Sequence, residues 1–138
     1  MTGYTPPQMS SDQEVYDYVL NFLDMQNKRA VGGGGLCRYR THWAEDDGTA
    51  IVLRCAVGCL ISDAEYDSML EGEDVGECYS VIKRSIGFAP TDNMRTYDML
   101  STLQDLHDNT WSPVAGTFSS LVDRLYPNRE LLGENQDG

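Results

Sequence analysis

Four consecutive glycines, Gly32 to Gly35, constrain the fold of this chain more than any other stretch, because no stable helix continues through them. Whatever precedes them must be complete before them, and whatever follows starts afresh. Upstream, Ser11 with Glu14 makes a capping box, and Val15, Tyr18, Val19, Phe22 and Met25 recur at helical spacing. Lys28 and Arg29 come at the far end, where the helix dipole favours cations. The spacing predicts a helix over 11–30, preceded by a flexible N-terminus of residues 1–10. Downstream, Leu36 to Trp43 suits a pleated strand, Asp46-Asp47-Gly48 signals a turn, and Ala50 to Val57 reads as the returning strand. The expectation is a β-hairpin of 36–43 and 50–57. The glycine run lacks the GxxxxGK[ST] order of a phosphate-binding loop and follows no strand, so it reads as a hinge.

The remainder is helical in pattern. Ser62 with Glu65 forms a second capping box, across which Ile61 can staple Tyr66, and a helix of 62–71 follows from it. Cys78, Val81, Ile82 and Ile86 suggest another, ended by Gly87. Pro90 and Thr91 introduce a longer helix whose face is Met94, Tyr97, Leu100, Leu103 and His107. Ser112-Pro113 opens the last one, with Val114, Phe118, Leu121, Val122 and Leu125 as its stripe and Pro127 as its stop. The fold class expected is α+β: one antiparallel hairpin, with room for a third strand in 75–82, packed by four to five helices. It forms a single domain of residues 11–129, with a frayed C-terminal tail at 130–138. A chain of 138 residues with 41% hydrophobic content can supply one core of this kind.

Charge narrows the partners. With 22 acidic residues against 10 basic, the net charge is −12, a field that repels phosphate backbones and anionic membranes. Direct nucleic-acid and membrane binding are therefore disfavoured, and a protein with a basic surface is the natural partner. Residues 1–10 have neither the basic start nor the apolar run of an ordinary secretory signal, so a cytoplasmic location is expected. Cys37, Cys55, Cys59 and Cys78 are accordingly read as reduced thiols or metal ligands before disulfides.

Several constellations are able to carry chemistry. Cys55 and Cys59 form a C-x3-C pair, with Cys37 and His42 on the opposing strand, a thiolate–imidazole set that suits zinc. Buried inert thiols are the simpler reading, and apart from zinc no cofactor is implied. A cysteine nucleophile would need His107, oriented by Asp105 or Asp108, yet His107 falls on the apolar face of its helix, where core histidines are common. No GxSxG or HExxH motif is present. Arg38, Arg40 and Arg54 gather on the hairpin, either paired with Glu45, Asp46, Asp47 or the acidic helix, or forming a pocket for a small anion.

The densest feature is acidic. Asp63, Glu65, Asp67, Glu71, Glu73, Asp74 and Glu77 place seven carboxylates in fifteen residues with no Lys or Arg among them. Counted as an EF-hand from Asp63, the sixth position is Ser68 where glycine is required, so that calcium-site pattern fails. Asp63, Asp67 and Glu71, spaced by four, would share one exposed helical edge, with Glu73, Asp74 and Glu77 beyond. Such a row can dock on an Arg/Lys groove or mimic duplex phosphates. A merely solvated face is the plainer reading.

The segments Cys37-Arg38-Tyr39-Arg40 and Arg54-Cys55-Ala56-Val57-Gly58-Cys59-Leu60-Ile61-Ser62-Asp63-Ala64-Glu65-Tyr66 through Gly72 resemble a group of small proteins from bacterial genomes and their phages. That group pairs a C-x-Y-R strand with C-A-x-G-x-L-I-x-D-x-x-Y-x-x-x-M-E-G; here Leu70 precedes Glu71 in place of methionine. Leu103-Gln104-Asp105-Leu106-His107-Asp108 is similar to a further element of it. The resemblance implies no activity, but it does imply a phage connection. Together with the charge, it leads to the expectation of a non-enzymatic binding protein of host-takeover or anti-defence type. Such a protein inhibits or redirects a basic host protein through Asp63, Asp67, Glu71, Glu73, Asp74 and Glu77. The alternatives are a small-ligand or Cys-dependent enzyme centred on the Cys/Arg hairpin, and a small zinc-stabilised domain.

Overall fold

The computed structural model describes residues 4–27, 40–44, 48, 50–66, 79–87 and 94–127. Helix α1 spans Asp12–Gln26 and starts where the sequence places it, with Ser11 Oγ accepting the Glu14 N–H at 3.2 Å. The Glu14 carboxylate reaches back one residue further than a standard capping box. It accepts from the Ser10 N–H at 2.6 Å and the Ser10 hydroxyl at 3.0 Å. The helix ends a turn earlier than expected. Asn27 takes the left-handed conformation at φ 52°, and its N–H closes on the Leu23 carbonyl at 2.8 Å. Asparagine tolerates that conformation, so the stop precedes the glycine run.

The buried face of α1 is Val15, Tyr16, Val19, Leu20 and Leu23. Tyr18 and Phe22 lie at its margin, and Met25 is 79% exposed. A second apolar stripe, Tyr18, Phe22 and Met25, thus runs from packing against the edge of the core out into water.

Strands β1 (Arg40–Ala44) and β2 (Ala50–Arg54) pair antiparallel, with Arg40 opposite Arg54 and His42 opposite Val52. Gly48 apart, the segment between them lies outside the described residues, and with it the turn of the expected hairpin. β2 stops at Arg54, three residues short of the expected end, because residues 55–60 coil into a turn and a short 3-10 helix, Gly58–Leu60. The Cys59 N–H donates to the Cys55 carbonyl at 3.0 Å. What looked like the end of a strand is a helical turn.

Among the described residues the domain is small and dominated by helices. The others are α2 (Tyr79–Ile86), α3 (Met94–Asn109) and α4 (Phe118–Leu125). α2 occupies 79–82, so those residues are not a third strand; residues 75–78 lie outside the described set, as does the tail at 130–138. Gly87 ends α2 at φ +77°, and a side chain there would collide with the Gln8 carboxamide. The expected helix of 62–71 is a single turn in its described part. The Glu65 and Tyr66 N–H groups both donate to the Ser62 carbonyl at 3.0 Å.

The last helix starts at Thr117, not Pro113. Thr117 caps it by accepting the Ser120 N–H at 3.1 Å, while residues 113–115 form a separate turn that leaves Val114 99% exposed. No helix among the described residues is long and apolar enough to cross a membrane.

One hydrophobic cluster joins these elements. α1 contributes Val15, Val19 and Leu23; β2 and its turn Leu53, Val57 and Leu60; α2 Ile82 and Ile86; α3 Leu100 and Leu103; α4 Phe118 and Val122. The N-terminus, expected to be flexible, is held to this body from Tyr4 onward. Pro6 and Met9 are buried, the Met9 N–H donates to the Ile86 carbonyl at 2.8 Å, and the Gln8 amide donates to the Ser85 carbonyl at 3.1 Å.

Candidate functional site

Where β2 ends, Arg54 turns inward and is only 7% exposed. A buried guanidinium requires an anion, and Asp63 supplies it at 2.8 Å. The Tyr4 ring lies beneath the same guanidinium, 4.0 Å from its carbon to the ring centroid. Tyr4 and Asp63 are also joined through the main chain. The Tyr4 N–H donates to Asp63 Oδ2, and the Asp63 N–H to the Tyr4 carbonyl, both at 2.9 Å. The Tyr4 hydroxyl donates to the Cys59 carbonyl at 2.7 Å and meets the Tyr18 hydroxyl. On the other side, the Gln26 carboxamide brackets Arg54. It accepts the Arg54 N–H at 2.8 Å and donates to the Arg54 carbonyl at 2.7 Å.

This cluster decides one alternative and corrects one expectation. Arg54 is paired with an acid of the following segment, as one of its two readings had it, and is not a free anion-binding cation. Asp63 is not part of an exposed helical edge, because both of its carboxylate oxygens are engaged. Glu65 likewise pairs with Arg84 of α2 at 2.6 Å. Of the other expected anion-site residues, Arg40 lies in β1 opposite Arg54, and Arg38 lies outside the described residues. So do Asp67, Glu71, Glu73, Asp74 and Glu77.

Cys55 and Cys59 serve the core. Cys55 and Cys59 are wholly buried, the Cys55 sulfur accepting the Gly58 N–H at 3.3 Å and the Cys59 thiol donating to the Ala56 carbonyl at 3.2 Å. His42 lies in β1 opposite Val52, and Cys37 and Cys78 lie outside the described residues. Among the described residues no group of three or more His, Cys, Asp or Glu is arranged to hold a metal ion. Burial pushes both thiols well above their ordinary value of 9.0. The reactive form of cysteine is the thiolate, so neither is poised as a nucleophile near neutral pH.

Two outcomes follow from this burial. Alkylation of Cys55 and Cys59 by iodoacetamide in the native protein should be slower by about a hundredfold or more than in denaturant, as expected when reaction requires opening. Peptide mapping after a timed pulse reads this directly. Stability contributed by the protonated thiols is fully present below pH 9.0 and lost as pH rises toward the raised folded values, so the urea midpoint should fall through the alkaline range.

α3 brings a polar chain against this turn. Gln104 accepts the Val57 N–H at 2.9 Å and donates to Asp108 Oδ1 at 2.9 Å, and the same oxygen lies 2.8 Å from Nδ1 of the fully buried His107. Gln104, Asp108 and His107 are linked in order on α3, with Gln104 anchored to the turn that follows Cys55. The histidine expected as a possible base is thus a core residue tied to Asp108, with Asp105 bonded instead to Asn109. Gln104 is the residue that the cysteine–histidine reading missed. Its place two positions before Leu106-His107-Asp108 was visible in the sequence, but its role in pinning the Val57 turn was not.

Among the described residues, exposed carboxylates stand on α1 (Glu14, Asp17), α3 (Asp98, Asp105) and α4 (Asp123). Tyr16, Asp17, Asn21, Asp24, Ser119 and Asp123 border a cleft of about 260 Å³ between α1 and α4. Asp24 accepts the Ser119 N–H at 2.8 Å and also its hydroxyl, fastening the two helices. Beside this cleft, and sharing Asn21 with it, are two adjoining openings along α1 of about 490 and 510 Å³. No family model, no curated protein and no solved structure matches the chain.

Proposed function

We propose that this chain is a non-enzymatic acidic binding protein whose partner is a protein with a basic surface. The observation that carries the reading is the separation, among the described residues, of reactive groups from charge. Cys55, Cys59 and His107 are sunk in the core, whereas Glu14, Asp17 and Asp123 are exposed about α1 and α4 in a chain of net charge −12. The acids from Asp67 to Glu77 extend the same surplus, whereas Asp63 and Glu65 are spent on Arg54 and Arg84. With the resemblance to phage-associated proteins, the reading is of a host-takeover or anti-defence factor acting in the host cytoplasm, where it inhibits or redirects its target. The strand pair is read as one hairpin turned at Asp46–Gly48, which the positive φ of Gly48, +91°, supports.

Affinity capture from a bacterial lysate at low and high salt tests this. A basic protein should be retained at about 0.05 M salt and released by about 0.5 M, as the Debye length contracts. The variant Asp67→Lys/Glu71→Lys/Asp74→Lys should lose it while keeping its thermal transition. Capture that persists in high salt, or in that variant, would overturn the reading.

A further inference from the structure

Helix α1 carries more apolar surface than the core uses. Its second stripe, Tyr18, Phe22 and Met25, runs at i, i+4 and i+7 and forms one wall of an open groove whose other wall is Val52 and Leu53 of β2. Met25, at 79% exposed, is the large apolar residue that the fold leaves in water there. Methionine adapts to varied partners, which makes it a common element of binding faces. The groove continues along α1 past Tyr18 and Asn21 to Glu14 and Asp17, at the mouth formed with Pro7 and Met9. From Glu14 to Met25 the path is about 16 Å, three turns of helix.

Charge identifies the occupant. No Lys, Arg or His lines either half of this groove among the described residues, and two carboxylates stand at one end of it. Hydrogen bonds from Ser10 hold the Glu14 carboxyl below its ordinary value of 4.5, so that end stays negative through the physiological range. An apolar trough of helical length with an acidic end matches a helix bearing an apolar stripe and basic flanks.

We propose that the groove along α1 docks a short amphipathic basic helix of the partner protein, its apolar stripe on Phe22, Met25 and Val52 and its Lys or Arg side chains over Glu14 and Asp17. The proposal rests on the acidic-capture reading above and gives that capture a place and a shape.

The probe is a fluorescein-labelled peptide of about fifteen residues built from Leu and Lys, with Leu at i, i+3, i+4 and i+7. A permuted peptide of the same composition without the stripe is its control. By fluorescence anisotropy the striped peptide should bind at least about tenfold more tightly than the permuted one. Met25→Glu, at a site already in water, should lose about tenfold in affinity for it without a change in thermal transition. Asp17→Lys should weaken binding and flatten its salt dependence. Equal binding of the two peptides, or an unchanged affinity in Met25→Glu, would remove the groove as a docking site. If that equal binding remains salt-sensitive, acidic capture survives without the groove; if neither peptide binds at low salt, both readings fall. Concentration-dependent dimerisation abolished by Met25→Glu would assign the groove to a second copy of the chain and overturn the proposal.

Discussion

Asp63→Ala should lower the free energy of unfolding by about 3 kcal/mol, although the residue belongs to an acidic stretch that resembles disposable surface. The effect arises at Arg54, whose side chain is 8% exposed and is paired with Asp63 at 2.8 Å. Deleting the carboxylate leaves a guanidinium in the protein interior over the Tyr4 ring without that anion, and an uncompensated buried charge costs far more than the pair ever contributed. It also strips the Tyr4 N–H of its acceptor and loosens the N-terminal segment that crosses this corner. Because Asp63 itself is 32% exposed, water partly relieves the loss, which sets the effect at the lower end of the range for broken buried pairs. Glu65→Ala is the control. Its partner Arg84 is 54% exposed, and removal of such a pair should cost about 0.5 kcal/mol or less. Urea unfolding of the two variants decides the matter. Equal small losses would mean that Arg54 finds water or another anion, and that the Tyr4–Arg54–Asp63 cluster is not structural.

That contrast shows why the acidic stretch was only partly legible in the sequence. Counting charge along 63–77 finds no cation, yet Asp63 and Glu65 are met by Arg54 and Arg84, which approach from a strand and from a helix. Local counting does not register partners supplied by the fold. The same reason hid Tyr4, which meets Asp63 across 59 positions, and Gln104, which catches the Val57 N–H across 47 and so helps coil the segment after Arg54. Read locally, Ala50 to Val57 is a uniform strand because Ile51, Val52 and Val57 all favour one. The start of α1 was legible because its cap is made by its own neighbours, Ser10, Ser11 and Glu14. Its buried face was not. Apolar residues cover too much of its circumference for spacing to separate the core stripe of Val15, Val19 and Leu23 from the peripheral one of Tyr18, Phe22 and Met25. Periodicity detects that a helix is amphipathic, but when two apolar stripes adjoin it cannot say which of them meets the core.

The C-terminal helix gives the sharpest test of that distinction. Val114 and Phe118, four apart, read as successive members of one stripe, yet alanine should be costly at Phe118 and nearly neutral at Val114. Phe118→Ala should cost about 3–5 kcal/mol. Phe118 is fully buried, with its ring edge-on to Trp111 at 5.3 Å between centroids, and it opens α4 immediately after the Thr117 cap. The hole left by its ring lies among residues fixed on two sides. The Trp111 indole N–H is tied to the Gly116 carbonyl at 3.0 Å, and Ser119 is tied to Asp24 of α1, so the site has little means of collapsing. Val114→Ala should change stability by less than about 0.5 kcal/mol, because at 99% exposure that side chain has no burial to lose. The pair of variants separates two start sites for the last helix. A helix beginning at Pro113 would set Val114 and Phe118 on one buried face and make both substitutions costly. One beginning at Thr117 leaves Val114 in the preceding turn. Chemical denaturation of the two proteins side by side should therefore give midpoints that differ widely; similar losses in both would place Val114 against the core and remove the Thr117 start.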